Sequence, residues 1–351
     1  MTGSMTSMQR TLGTMGFKEP DQVPLFLLFT MHGARELGLS IHDYFSKPEY
    51  IVEGQMRLLK KFQGDCVNPF TYAAIEIVAW GGEVIFREDG PPNAGKPIIT
   101  KNADIETIEV PSVEASPSLL SGLHTIELLK KRVGTNVPIM GSVISPFSLP
   151  VLQMGFEAYI ELMYGEPDLF WKLMKKNEQF CVAWANAQIE AGATAIGCAD
   201  PLASPDMTPT DLYRKTGFIV AQRTIARIRG GVATHLASAR TLSRIDDLAK
   251  TGTVGVGVSA FDEIGAVKRA INGRMVLIGN LNGIEMRRWT PEIAEQKVKE
   301  AIAKAGRGGG FILSDNHGEI PWQVSDSVLF AISAAAKKWG RYPLNWVPDE
   351  G

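Results

Sequence analysis

The sequence predicts an α/β protein, a (β/α)8 TIM barrel, because eight short apolar runs alternate with amphipathic stretches along its 351 residues. Each run is rich in β-branched residues or bounded by glycine, which is typical of a parallel strand buried on both faces. A strand followed by a helix, repeated eight times, is the pattern of this barrel, and the length suits one. The runs begin at Val23, Asp65, Val137, Ala193, Gly231, Thr253, Arg274 and Gly310.

Two of the intervening stretches show the helical pattern most clearly. The stretch from Phe170 places apolar residues three and four positions apart and ends in glycine, as an amphipathic helix does. The stretch from Thr290 begins with a good N-cap residue and has Pro291 at its first helical position. An open, doubly wound sheet is the alternative architecture, but no Gly-x-Gly-x-x-Gly motif follows the first run.

The segment between Trp80 and Thr100 departs from this repeat. Its sequence "EVIFREDGPPNAGKPIIT" contains Asp-Gly-Pro-Pro and Asn-Ala-Gly turns. These turns predict a small hairpin insertion after the second strand. We therefore expect an N-terminal segment over residues 1–20, followed by a single barrel domain over residues 21–346.

Composition and charge exclude several classes of function. The net charge of −2 and the 21% of charged residues offer no basic field for nucleic acid or an anionic membrane. No apolar run reaches the length of a membrane span. The three cysteines, Cys66, Cys181 and Cys198, form no CxxC motif or disulfide framework, so we expect small core residues in a cytoplasmic protein.

Polar residues gather where the predicted strands end. In such a barrel the carboxyl ends of all strands meet at one mouth, where the chemistry is concentrated. Three of the five histidines, His32, His235 and His317, fall at these ends, so we expect a functional site there. Tyr72 and Phe147 follow strand ends and are candidates for the wall of a pocket that holds a flat ring, although aromatic residues at helical spacing are more often core.

Three motifs in the correct order resemble the uroporphyrinogen decarboxylase superfamily. "PDQVPLF" is similar to the family's opening before its first strand, "LIGNLNG" to its seventh-strand motif and "LSDNHGEIP" to its eighth-strand motif. The resemblance extends from about Met8 to Pro343. Because that superfamily comprises decarboxylases and cobalamin-dependent methyltransferases, the resemblance implies a TIM-barrel enzyme of one of these branches.

The decarboxylase branch fits this sequence poorly. The resemblance implies arginines near the first strand that hold the carboxylates of a tetrapyrrole. Here "MHGAREL" provides only Arg35 and has His32 where a basic cluster would start. For the aspartate expected after the second strand, the closest match is Tyr72 in "NPFTYAAIE". A highly anionic substrate would therefore lack its cationic clamp.

The methyltransferase branch fits better, with one departure. The resemblance implies that thiol-activating members bind zinc through a His-x-Cys pair after the fifth strand and a cysteine after the eighth. Here His235 is kept, but Ala237 stands at the first cysteine position and His317 lies near the second. Without these soft thiolate ligands zinc is left open but not favoured, and we assign no metal ligand. The resemblance then implies an enzyme that gives methyl to a corrinoid cobalt.

A separate corrinoid-binding protein would have to carry this cobalamin, because the chain contains no Asp-x-His-x-x-Gly motif. Cob(I)alamin is a strong nucleophile, so the difficulty of the reaction lies in the leaving group. The phenolate of an aryl methyl ether needs a proton donor or a Lewis acid, whereas a quaternary ammonium donor leaves as a neutral amine. The leading hypothesis is therefore an O-demethylase acting on a small aryl methyl ether, and a homodimer is left open.

The residues expected to perform this reaction lie at strand ends. For His317 we expect proton transfer, with Asp315 or another rim carboxylate raising the pKa of its imidazole; a structural role and a zinc site are the alternatives. The other functional hypotheses are a methylamine or betaine methyltransferase, a zinc-dependent methyltransferase, a decarboxylase and a non-catalytic binding barrel. The expected catalytic residues are His235, His317, Asp315 and Asp200, and the expected substrate-binding residues are His32, Asn68, Tyr72, Phe147, Asp262 and Asn280.

Overall fold

The protein is organised around a curled parallel sheet. The structure is a computed structural model that describes residues 5–69, 72–316 and 318–348. Its strands are β1 (Leu25–Phe26), β2 (Val84–Ile85), β3 (Asn93–Ala94), β4 (Met140–Ile144), β5 (Ala195–Ala199), β6 (Gly231–His235), β7 (Gly255–Gly257), β8 (Val276–Leu281) and β9 (Phe311–Asp315). Seven of them lie in the order β1-β9-β8-β7-β6-β5-β4 with every neighbouring pair parallel, as in a barrel of βα units.

Residues 65–67 fill the eighth position of the barrel, between β1 and β4. Val67 forms a single parallel bridge with Ile139, and the Asp65 amide donates to the Leu25 carbonyl at 2.7 Å. The Asp65 carboxylate also accepts the Leu25 amide at 2.9 Å. Because a side chain replaces part of the backbone ladder, the predicted second strand is reduced to one bridge, yet it still closes the ring. The predicted (β/α)8 class is confirmed.

Helices cover the outside of the sheet, as the 3.6-residue periodicity predicts. The helix predicted from Thr290 is present, and the Thr290 hydroxyl caps it by accepting the Ile293 amide at 3.4 Å. No helix in the described ranges is both long and apolar enough to cross a membrane. The α-helices are α1 (Ser7–Met15), α2 (His32–Leu37), α3 (Ile41–Phe45), α4 (Pro48–Phe62), α5 (Ile75–Ala79), α6 (Asp104–Thr107), α7 (Pro117–Val133), α8 (Pro150–Met154), α9 (Phe156–Gly165), α10 (Pro167–Ala191), α11 (Thr210–Lys215), α12 (Gly217–Ile225), α13 (Ile245–Ala249), α14 (Ile264–Ile271), α15 (Pro291–Ala305) and α16 (Asp326–Trp339), with short 3-10 helices at Pro201–Ala203, Leu242–Arg244 and Glu285–Arg288.

A small apolar cluster fills the interior of the ring near the amino ends of β8 and β9. Phe26, Cys66, Val276 and Ile312 form it, and Met15 of α1 packs against them. Larger clusters lie between the strands and the outer helices. All three cysteines are free and buried, so the prediction that they are core residues is confirmed. The carboxyl ends of the strands are left to smaller and more polar side chains.

The predicted hairpin insertion is also confirmed. Strands β2 and β3 pair in antiparallel fashion, with Val84 opposite Ala94. Between them the Asp89 carbonyl accepts a hydrogen bond from Gln323 Nε2 at 2.8 Å. The turn of the hairpin therefore contacts the segment that follows β9, so the insertion borders the mouth formed by the carboxyl ends of the strands.

Candidate active site

Alternation along β5 and β6 separates the side chains that face the helices from those that face the interior. Ile196, Cys198 and Val232 are buried against residues of the outer layer such as Phe180. The residues between them face the interior by alternation. They are small and only partly buried: Ala195, Gly197, Ala199, Gly231 and Ala233. His235 continues this inner row at the end of β6, so its ring lies at the mouth.

The backbone just after β6 holds His235 in one orientation. The Ala237 amide donates to His235 Nδ1 at 2.9 Å. Because Nδ1 accepts a hydrogen, the neutral imidazole carries its own proton on Nε2. A second ring proton on Nδ1 would face the Ala237 N–H. The geometry therefore favours a neutral ring that donates a hydrogen bond through Nε2.

Two glycines make room for this ring. A Cβ atom at Gly257 of β7 would lie 2.3 Å from His235 Cδ2, so a larger residue at position 257 would displace the imidazole. A Cβ atom at Gly318 would lie 3.3 Å from His235 Cε1. Gly318 also has a φ of +85°, in the left-handed region that favours glycine. The ring is thus packed between the end of β7 and the backbone that follows β9.

The segment after β9 is fixed by hydrogen bonds on both sides. The buried carboxylate of Asp315 accepts the Gly318 amide at 2.9 Å. The Asn316 side-chain oxygen accepts the Gly283 amide at 3.2 Å, and the Ile320 amide donates to the Leu28 carbonyl at 3.1 Å. This segment therefore runs from the β8 side of the mouth to the β1 side and passes His235. The predicted catalytic residue His317 lies outside the described residues.

Glu319 is a carboxyl group of the mouth that is not among the residues predicted from the sequence. The Thr30 hydroxyl donates to Glu319 Oε2 at 3.0 Å, and Glu319 stays partly exposed. Burial raises the pKa of Glu319, while the Thr30 hydrogen bond opposes that rise. The available signal was its place two residues after His317 within the "HGEIP" motif.

Asp262 and Asn280 connect neighbouring loops on the β7–β8 side. Asp262 Oδ2 accepts the Thr241 amide at 2.6 Å and the Leu242 amide at 3.1 Å. Asn280 Nδ2 donates to the Ser259 carbonyl at 3.0 Å. Both residues also line a cavity of about 400 Å³ beside α15. They hold the rim together and lie next to a space that a ligand could enter, so their predicted role in binding stays a prediction.

Asp200 and Phe147 lie on the helix side of the sheet. Asp200 is 2% exposed and accepts the Ser148 hydroxyl at 2.6 Å. Burial raises its pKa, and the hydrogen bond from Ser148 partly opposes this. Phe147 is fully buried, with its ring 6.2 Å from that of Tyr159. The backbone amide of Asp200 donates to the His235 carbonyl at 2.7 Å, which supports the end of β6.

His32 is enclosed at the start of α2. Its ring is fully buried, 5.0 Å from that of Phe29 and 6.1 Å from that of Trp322. Neither ring nitrogen of His32 has a hydrogen-bond partner of normal geometry among the described residues. The backbone of Pro321 acts to raise the pKa of the imidazole, but it is one of the smaller influences. Burial, with the charge of Arg35 as the second cause, lowers the pKa of His32 to about 3. The imidazole is therefore neutral at physiological pH.

Asn68 and Tyr72 flank the unusual second strand. The buried Asn68 receives support through its backbone amide, which donates to Gln55 Oε1 at 3.0 Å. The Tyr72 ring packs 5.4 Å from Phe45 and 5.6 Å from Phe86 of the hairpin, and burial raises the pKa of its hydroxyl. Tyr72 thus contributes to an aromatic cluster between α3 and the insertion, and its role in substrate binding stays a prediction.

The described donors do not make a zinc site. In those parts of the chain, no three His, Cys, Asp or Glu side chains are placed to hold a metal ion. Cys66 lies in the interior cluster, and Cys181 of α10 and Cys198 of β5 are packed in the layer between the sheet and the outer helices. Residue 237, beside His235, is alanine. The soft ligands of a thiolate-zinc site are therefore absent from this part of the mouth.

Comparison with known proteins relates the chain to two kinds of enzyme. The profile of the family described as uroporphyrinogen decarboxylase (URO-D) matches residues 6–339. A uroporphyrinogen decarboxylase from Methylococcus capsulatus is 26% identical over 297 residues, which cover 82% of this chain and 83% of that protein. A methylcobamide:CoM methyltransferase, MtaA, from Methanosarcina barkeri is 26% identical over 215 residues, covering 60% of this chain and 62% of that protein.

Solved structures support the fold. A methyltransferase from Methanosarcina mazei superposes with a TM-score of 0.85 at 21% identity, covering 95% of this chain and 99% of that chain. A B12-independent methionine synthase from Shewanella sp. W3-18-1 superposes with a TM-score of 0.58 at 14% identity, covering 90% and 97%. At these identities the likeness establishes the architecture, and the reaction has to be argued from the site.

Proposed function

The chain belongs to the uroporphyrinogen decarboxylase (URO-D) family, and from this premise we propose that it moves a methyl group from a small donor to the cobalt of a corrinoid protein. The proposed donor is an aryl methyl ether, which makes the enzyme an O-demethylase. The family's relatives include decarboxylases and a methylcobamide:CoM methyltransferase. The choice between these reactions rests on the residues at the mouth.

The observation that carries the proposal is the fixed ring of His235. Its Nδ1 accepts the Ala237 amide, so the hydrogen of the neutral ring is on Nε2. When cobalt attacks the methyl carbon, the carbon–oxygen bond breaks and negative charge develops on the phenolate oxygen. A hydrogen-bond donor already oriented toward that position stabilises the charge without reorganising. A neutral amine leaving group would gain little from such a donor.

The side chain beside His235 argues against the thiol-directed reaction of the MtaA relative. That relative is named for methyl transfer between a methylcobamide and CoM. A thiolate-zinc site would need cysteine near His235, but residue 237 is alanine and the three cysteines lie in the core. We therefore place this protein on the donor side of corrinoid chemistry. A partner protein would bring the corrinoid, which acts here as the methyl acceptor.

Decarboxylation of a tetrapyrrole is the second candidate, favoured by the decarboxylase relatives. Arg35 weakens it. The guanidinium donates to the Trp322 carbonyl at 3.0 Å and to the Val324 carbonyl at 3.3 Å, and it pairs with Asp326 at 3.3 Å. Arg35 thus binds its own chain, and it is the one arginine of the first-strand segment. A substrate with many carboxylates would lack compensating charge there.

A donor panel tests the proposal. Purified protein, a reduced corrinoid protein and one of several methoxyarenes, methylamines or betaines are mixed, and the demethylated product is quantified. We expect phenol formation from methoxyarenes alone. Formation of a demethylated amine would instead identify a quaternary or tertiary amine as the methyl donor. Carbon dioxide release from uroporphyrinogen, with no methyl transfer from any donor, would assign the chain to the decarboxylases.

A further inference from the structure

The hydrogen bond at His235 leaves the source of a proton open. A phenolate leaving group must gain a proton if it is to depart as a phenol. Because the Ala237 amide donates to His235 Nδ1, the geometry favours the neutral imidazole, which is a far weaker acid than imidazolium. His235 can stabilise the leaving oxygen, but another group has to supply the proton.

We propose that Glu319 supplies this proton, so that Glu319 and His235 act together on the leaving oxygen. This inference rests on the proposed function. The segment that carries Glu319 passes the His235 ring, because a Cβ atom added at Gly318 would lie 3.3 Å from His235 Cε1. Glu319 is the next residue along the chain and remains partly exposed at the mouth. A group that protonates a bound substrate needs this accessibility.

The hydrogen bond from Thr30 orients the carboxyl group. The Thr30 hydroxyl donates to Oε2 at 3.0 Å, so the neutral acid carries its proton on Oε1. No hydrogen bond from another described side chain to Oε1 accompanies this contact. The Ile320 amide holds the same segment to the Leu28 carbonyl at 3.1 Å. The scaffold thus holds one oxygen of the carboxyl group through Thr30.

Burial favours the neutral acid that this role requires. It raises the pKa of Glu319, against the opposing effect of Thr30. In the proposed step, cobalt(I) supplies the electron pair of the new cobalt–carbon bond while the carbon–oxygen pair passes to the phenolate oxygen. The Oε1 proton moves to that oxygen, which leaves a Glu319 carboxylate. Solvent protonates the carboxylate again before the next turnover.

The alternative donor is His317, to which the sequence analysis assigns proton transfer. In the proposed step, Glu319 supplies the proton instead. Variants of both residues distinguish the two groups, because glutamine removes the acidic proton at either position and only the loss of the true donor should depend on the basicity of the leaving group. Glu319→Gln keeps the shape and can still accept from Thr30, but it has no acidic proton. The exposed Glu49 provides a matched control, Glu49→Gln.

The first arm of the test measures kcat for methoxyarenes whose product phenols span several pKa units. We expect Glu319→Gln to lose roughly 10²-fold on the most basic leaving group and less on electron-poor rings. KM should change little, and Glu49→Gln should match the wild type. Thr30→Val should move the alkaline limb of the kcat profile to higher pH, because the Thr30 hydroxyl stabilises the charged carboxylate. An equal loss on every leaving group, or the leaving-group dependence appearing in His317→Gln instead, would overturn the inference.

The second arm needs no turnover. Product phenols are titrated calorimetrically into the wild type and Glu319→Gln in two buffers of different ionisation enthalpy. Because a bound phenol should favour the Glu319 carboxylate, binding should release up to one proton from the wild type and none from the variant. Proton release without any demethylation would overturn the proposed function while supporting Glu319. Demethylation with the same proton count in both proteins would overturn Glu319 alone, and failure to bind any phenol would overturn both.

Discussion

His32, at the start of α2, and His235, at the end of β6, are both predicted at the mouth, yet their surroundings differ in almost every respect. His32 is fully buried between Phe29 and Trp322, and its pKa is lowered to about 3. His235 is partly exposed and has a backbone amide on Nδ1. The His32 imidazole is enclosed by aromatic rings, whereas the His235 imidazole packs against Gly257 and faces the interior of the barrel.

The difference shows that position at a strand end does not by itself make a residue catalytic. A catalytic imidazole needs access to the ligand, a fixed tautomer and a partner that sets it. His235 has a fixed tautomer and a backbone partner that sets it, whereas His32 is enclosed by aromatic rings and adds to the packing around α2. The same contrast separates Glu319 from Asp200, since the first is partly exposed and the second is covered by Ser148.

The largest expected effect is that of His235→Ala. Removal of one preorganised hydrogen-bond donor costs roughly 10² to 10³-fold in kcat, so we expect a loss in that range with an unactivated methoxyphenol. His124→Ala, at an exposed position on α7, is the matched control and should keep the wild-type rate. The measurement is steady-state phenol formation. A loss of less than about threefold for His235→Ala would remove the functional distinction between the two histidines.

Gly257→Ala tests the position of the ring without removing it. The added Cβ would lie 2.3 Å from His235 Cδ2 and should rotate the imidazole away. A misplacement of about 1 Å can cost 10²-fold, so we expect a loss of roughly 10- to 100-fold in kcat. Gly255→Ala on the same strand is the control, because its nearest neighbour would be 3.3 Å away. Similar values of kcat for both variants would show that the contact between Gly257 and the His235 ring does not matter for the reaction.

His32→Leu should change stability rather than chemistry. Since the folded-state pKa is about 3 and the ordinary value is 6.5, the unfolded chain binds the extra proton as the pH falls below 6.5. Stability is therefore present above that value and lost toward pH 3. At pH 5 the loss is about 2 kcal/mol of unfolding free energy. Denaturant unfolding between pH 7.5 and 5 should show a weaker pH dependence in the variant, whereas a large rise in KM would support the predicted binding role of His32.

The smallest expected effect is that of metal removal. Cys66, Cys181 and Cys198 lie away from His235, so no thiolate can join that residue in a metal site. We expect at most substoichiometric zinc by elemental analysis, and an unchanged rate after dialysis against a chelator. Stoichiometric zinc that disappears together with activity in His235→Ala would contradict this, because two imidazoles and a carboxylate can form a catalytic zinc site.

The sequence pattern was sufficient for the barrel because strand burial and helix periodicity are local properties. The second strand was harder to predict, since it depends on a carboxylate, Asp65, pairing with the backbone of a strand 40 residues away. The orientation of Asp200 also depends on register. "AIGCAD" alternates small and larger residues, and Asp200 shares the parity of the outward Ile196 and Cys198.

The role of Glu319 could not be read from the sequence because Thr30, its hydrogen-bond partner, is 289 residues away. Similarly, the fit of His235 against Gly257 requires β6 and β7 to be neighbours in register, with His235 paired to Gly257. Motif comparison indicated which segments meet at the mouth. It could not indicate which of their side chains remain accessible after packing.

The measurement that tests the central claim most directly is a single turnover with a methyl-labelled methoxyphenol. The protein is mixed with reduced corrinoid protein, and the cobalt spectrum and the label are followed together. We predict conversion of cob(I)alamin to methylcob(III)alamin, with the label on cobalt and an equimolar amount of phenol. The rate should fall roughly 10² to 10³-fold in His235→Ala. No change in the cobalt spectrum with any methoxyarene, while an amine donor or a decarboxylation substrate is converted, would contradict the account.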